Sequence, residues 1–151
     1  MEASCPNTYS STYVKTPNYP SSYGHSKDCT WKISAPDDKR IRLNSFSVSI
    51  ERHAKCQYDY LKIYDGSSSN DDMLAFLCGS QSKGRILSSG KELFLHFHSD
   101  SSENANGFKI YYDIINWYLN VNLPIKSCLK CICAGNIIFC KIQNALHFVE
   151  K

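Results

Sequence analysis

The chain is predicted to fold as an antiparallel β-sandwich. Three observations carry the prediction. Side chains alternate over short runs, as where Leu93, Leu95 and Phe97 interleave with Phe94, His96 and His98, the period of a half-buried strand. Turn signals such as Ala35-Pro36-Asp37-Asp38 and Asp65-Gly66 recur between these runs. Ten tyrosines and many Ser and Thr residues favour strands and turns, and no segment shows a convincing helical period.

A length of 151 residues fits one domain plus an appendage. Residues 1–113 hold 13 Lys/Arg and 13 Asp/Glu, and the rest holds four Lys and one Glu. A neutral body argues against nucleic acid as the partner. The eight cysteines form two groups of four: Cys5, Cys29, Cys56 and Cys78, then Cys128, Cys131, Cys133 and Cys140. The wide spacing of the first group suits disulfides in an oxidising compartment. Met1–Pro6 lacks the basic start and apolar run of a secretory signal. The expectation is therefore an extracellular piece of a longer secreted protein. No stretch reaches the roughly 18 apolar residues of a membrane span, and no N-glycosylation sequon occurs.

In chain order, residues 6–28 are rich in Pro, Ser, Tyr and Asn. Pro17 and Pro20 hold their predecessors extended, which predicts a fixed irregular segment or an edge. Cys29–Ile33 reads as a strand with Trp31 and Ile33 inward. Ile41 and Leu43 alternate with Arg40 and Arg42, while Phe46, Val48 and Ile50 continue on the other parity. That change predicts a bulge or bend near Asn44-Ser45. Tyr60–Tyr64 is a strand with Leu61 and Ile63 on one face and Tyr58, Tyr60 and Tyr64 on the other. Met73–Gly79 fits a strand or a helical turn, and Arg85–Leu87 fits a short strand. A last strand starts at Gly107 with Phe108, Ile110 and Tyr112 on one face. Parity places Trp31, Ile33, Leu61, Ile63, Leu93, Leu95, Phe97 and Phe108 in the core.

The stretch around the Tyr60 strand carries unusual chemistry. Glu51 lies five residues before Cys56 and Asp59 three after it. Paired carboxylates of this kind can act as acid and base in hydrolysis, but no other feature supports a catalytic centre and no catalytic residue is assigned. His96 and His98 share a strand face, as zinc ligands can, yet no third ligand is evident near them in the sequence. Lys39-Arg40-Ile41-Arg42 is a basic strip of the kind that protects a sheet edge.

Residues 5–113 resemble a CUB domain. The resemblance rests on Cys5 and Cys29, Pro17-Asn18-Tyr19-Pro20 with Tyr23, and Cys29-Thr30-Trp31-Lys32-Ile33. It continues through Cys56-Gln57-Tyr58-Asp59-Tyr60-Leu61, Ile63-Tyr64-Asp65-Gly66 and Leu77-Cys78-Gly79. Leu95–Asp100 and Gly107–Tyr112 complete it. The resemblance implies a jelly-roll-like extracellular sandwich with disulfides Cys5–Cys29 and Cys56–Cys78, acting as a module that binds proteins or glycans. It also implies a calcium site. The matching positions are Glu51, Asp59 and Asp100, with Tyr23 supporting the acid at 51 and Ser102 offering an oxygen. General chemistry agrees, because calcium takes several anionic oxygens and three convergent carboxylates repel one another without a cation. In related complexes such acids meet a Lys or Arg of the ligand, so Glu51, Asp59 and Asp100 are also the expected ligand-binding residues.

Residues 114–151 form a cysteine-rich tail, read as a truncated module. Cys128-Leu129-Lys130-Cys131-Ile132-Cys133 is similar to the opening of an invertebrate-type lysozyme, but Ala134-Gly135-Asn136 follows where that family has a catalytic Glu. The same run is also similar to part of a von Willebrand type C module. The second functional reading is therefore a targeting module or remnant of a secreted enzyme. A third is a calcium-free glycan binder, against which the three retained acids argue.

Overall fold

A computed structural model describes residues 1–116 and, as backbone only, the strands 131–134, 137–142 and 145–150. The chain divides into two compact units, Met1–Ile115 and Asn116–Lys151. Among the described residues there is no helix, and none is long and apolar enough to cross a membrane.

The first unit is a sandwich of two antiparallel sheets. One has the order β1 (Glu2–Ala3), β3 (Asp28–Ser34), β10 (Glu92–His98), β6 (Tyr60–Tyr64), β7 (Met73–Leu77). The other is built on β11 (Gly107–Asn116), which bonds to β2 (Tyr13–Lys15), β4 (Lys39–Leu43) and β5 (Phe46–Ser49). β8 (Ser80–Lys83) adds to β5, and β9 (Ile86–Leu87) adds to β4. The expected bend at Asn44-Ser45 separates β4 from β5 and lets both reach β11. Met73–Leu77 is a strand, which resolves the two readings of that segment.

Alternation decides which side chains fill the core. β10 reads intermediate, buried, intermediate throughout, with Leu93, Leu95 and Phe97 fully buried. Its partners match it: Leu95 pairs with Trp31 on β3 and Ile63 on β6, and Phe97 with Cys29 and Leu61. All eight expected core residues are at most 1% exposed. Each large apolar side chain removed from water in this way contributes about 1.5–3 kcal/mol. Trp31 also satisfies its indole N–H, which donates to Thr8 Oγ1 at 3.0 Å. Tyr64 lies on the outer face as expected, yet it is buried there, with its ring 6.2 Å from that of Phe94.

Two disulfides join Cys5 to Cys29 and Cys56 to Cys78. They close loops with sequence separations of 24 and 22. Replacing both Cys56 and Cys78 by Ala is expected to cost about 2–4 kcal/mol in denaturant unfolding, since loops of this length lose that much closure entropy in the unfolded chain. Peptide mapping that found a Cys5–Cys56 link would contradict the pairing.

The second unit contains a three-stranded antiparallel sheet, β12 (Cys131–Ala134), β13 (Ile137–Ile142) and β14 (Ala145–Glu150). Cys128, and every side chain beyond Asn116, lies outside the described residues. The lysozyme-like and von Willebrand-like readings fall there.

Candidate calcium site

Strand ends bring the acids together. Register pairs Tyr60 with His98, so Asp59 before β6 lies beside the chain leaving β10, where Asp100 follows. Asp59 is fully buried. Its Oδ1 accepts the Asp100 backbone N–H at 2.7 Å, and its Oδ2 accepts the Tyr23 hydroxyl at 2.5 Å. Glu51 follows β5 and is fixed by a reciprocal pair of backbone bonds. The Gly79 N–H donates to the Glu51 carbonyl at 3.1 Å, and the Ile50 N–H donates to the Gly79 carbonyl at 3.0 Å. Gly79 has φ +70°, a conformation that favours glycine, and it adjoins the Cys56–Cys78 bridge.

Tyr23 links this end to the core. Its ring is fully buried and meets Phe97 edge-on, with centroids 5.0 Å apart. Its oxygen accepts the Glu51 backbone N–H at 3.1 Å while donating to Asp59. The sequence reading expected it to support the acid at 51. In the structure it touches that residue through the backbone and Asp59 through the carboxylate. Burial, then the bond to Asp59, pushes its phenol well above the ordinary value.

Glu51, Asp59 and Asp100 each offer a carboxylate oxygen, and these oxygens lie within 4.8 Å of one another. Burial, then the charges of Asp59, Asp100 and Glu103, holds the Glu51 carboxyl above its usual range. Its Oε2 is sealed from solvent and has no hydrogen-bond partner. Asp100 is shifted the other way, because the backbone N–H of Ser102 and then its hydroxyl donate to Oδ1, both at 2.7 Å. Ser102 thus reaches the site, with its hydroxyl engaged by Asp100. Glu103 is the acid that the sequence reading did not assign. Its signal was its position three residues after Asp100 in the same polar loop.

Three converging carboxylates and a buried oxygen without a donor fit a hard cation, since an oxygen donor set is what calcium selects. Comparison with known proteins bears on the same point. A family model described as "CUB domain" matches residues 4–112. This chain belongs to the CUB family. CUB domains of extracellular proteins mediate protein interactions. The CUB domain here is 37% identical to mouse tolloid-like protein 2 over 110 residues, 72% of this chain and 11% of that protein. It is 44% identical to human cubilin over 119 residues, 78% of this chain and 3% of that protein. The chain thus spans about a tenth or less of these relatives. Among solved structures, the CUB1-EGF-CUB2 region of human MASP-1/3 matches with a TM-score of 0.66 at 27% identity, covering 86% of this chain and 56% of that one. A crystal structure of the MASP-1 CUB2 domain bound to Ca2+ matches with a TM-score of 0.59 at 28% identity, covering 67% of this chain and 89% of that one.

Proposed function

We propose that this CUB domain is an extracellular, calcium-dependent recognition module whose acidic loop end receives a basic side chain of a protein partner. The observation that carries the reading is the buried, unpartnered Oε2 of Glu51 beside Asp59 and Asp100. Glu51, Asp59 and Asp100 would hold the ion, with Tyr23 orienting Asp59. When bound, calcium supplies positive charge that offsets the repulsion among the three carboxylates. The protein does the rest. Tyr23 anchors the site to Phe97 and the rigid core, and the backbone bonds of Gly79 fix Glu51. Asp100 is half-buried beside the exposed Ser101, Ser102 and Glu103, where an incoming ammonium can reach its carboxylate. An extracellular relative bound to Ca2+ and the two disulfides support the setting.

A lysine-bearing peptide titrated with calcium and then with chelator tests the reading. Asp100→Ala is expected to lose both calcium and the peptide while keeping its strand content. Asp72→Ala, outside the acid cluster, is expected to keep both. If Asp100→Ala loses calcium yet binds the peptide unchanged, the metal is structural and recognition lies elsewhere on the sandwich.

A further inference from the structure

The outer face of the β1-β3-β10-β6-β7 sheet carries a second set of metal-competent side chains. His96 and His98 are two residues apart on β10, so the pleat presents both on that face. The missing third donor comes from the neighbouring strand. Register sets Asp28 of β3 opposite His98. Asp28 Oδ1 is 3.1 Å from His96 Nε2, and Asp28 Oδ2 is 3.2 Å from His98 Nδ1. On the other flank Tyr60, opposite His98 on β6, lays its ring against His98 at 5.2 Å and presents an edge to His96 at 5.7 Å.

We propose that His96, His98 and Asp28 form a binding site for a divalent first-row transition ion, with zinc(II) as the ion to be tested. Two imidazoles and one carboxylate are a nitrogen-rich, borderline donor set, which selects zinc over calcium. The side chains are reachable: Asp28 is 65% exposed, His98 36% and His96 21%. Asp28 now spreads the two rings across its two oxygens. Among the described residues only the Glu51, Asp59 and Asp100 group has its donor atoms within 4.8 Å as it stands. Zinc entry therefore requires the rings to turn toward a shared centre. The ion takes the lone pairs of His96 Nε2 and His98 Nδ1, and each neutral ring keeps its proton on the other nitrogen. Lys62 pairs with His96 in register on β6, and its Nζ lies 4.5 Å from the centre of the Tyr60 ring. Three protein donors leave one position of a tetrahedral shell for water or a partner's donor.

The test titrates zinc into the whole chain with millimolar calcium present, by calorimetry and by thermal melting. The reading is the difference between the wild type and His96→Ala/His98→Ala, so that any zinc taken up elsewhere in the chain is common to both. The wild type is expected to take up one more zinc per chain than the double variant in the micromolar range, with a zinc-dependent rise in Tm that the variant lacks. Asp28→Asn is expected to weaken that uptake at least about tenfold, and Glu51→Gln to leave it unchanged. Equal zinc uptake and equal Tm shifts in wild type and double variant would overturn the proposal. So would loss of the extra zinc in Glu51→Gln, which would place the ion among the acids.

Discussion

Asp59→Ala is expected to abolish calcium uptake and to destabilise the calcium-free chain. The carboxylate is fully buried and accepts two bonds, from the Tyr23 hydroxyl and the Asp100 backbone N–H. Alanine leaves both donors without an acceptor, at about 1–3 kcal/mol for each that stays dry. The loss is reduced, because one of three repelling carboxylates is removed with it. The net expectation is about 2 kcal/mol in urea unfolding with chelator present. Asp59→Asn separates the two effects. The amide oxygen still accepts one bond, so most calcium-free stability should remain, but the charge is gone and calcium affinity should collapse. An Asp59→Asn chain that bound calcium as the wild type does would remove Asp59 from the ligand set.

Gly107→Ala is expected to have the largest stability effect of any single methyl added to this domain. Gly107 has φ +81°, a conformation side chains rarely adopt, and it opens β11 directly after the loop that carries Asp100. A Cβ built there falls 1.9 Å from Thr16 Oγ1 and 2.7 Å from Thr16 Cβ. Thr16 cannot yield easily. It is fully buried, and its hydroxyl accepts the Phe108 N–H at 3.2 Å. Strain and overpacking together should exceed about 4 kcal/mol. Thr16→Ala removes the oxygen in the way, so the double variant should recover part of the loss. Unchanged denaturant unfolding in Gly107→Ala would contradict this account of the close approach.

The parts of the fold that were legible are those where a local pattern and burial agree. Leu93, Leu95 and Phe97 alternate in sequence and lie at 0% exposure because β10 is central, with neighbours on both sides. Ser80–Lys83 was not legible. It is a strand of four polar residues, held by its ladder to β5 rather than by a buried face. Tyr13–Lys15 was hidden for a related reason, since its partner is β11, nearly a hundred residues away. At the site, the acids could be named from the resemblance, but the double role of Tyr23 depends on a ring packed on Phe97 and could not be read from spacing. The histidine pair shows the same limit. His96 and His98 were visible on one strand, but Asp28 reaches them only through the pairing of β3 with β10.

The central claim is that Glu51, Asp59 and Asp100 together hold one calcium ion. Calorimetric titration of the chelator-stripped chain with calcium tests it most directly. The account predicts one saturable site per chain at millimolar calcium or below in the wild type, lost in Asp100→Ala and kept in Asp72→Ala. A wild-type chain that takes up no calcium at millimolar concentration would contradict it.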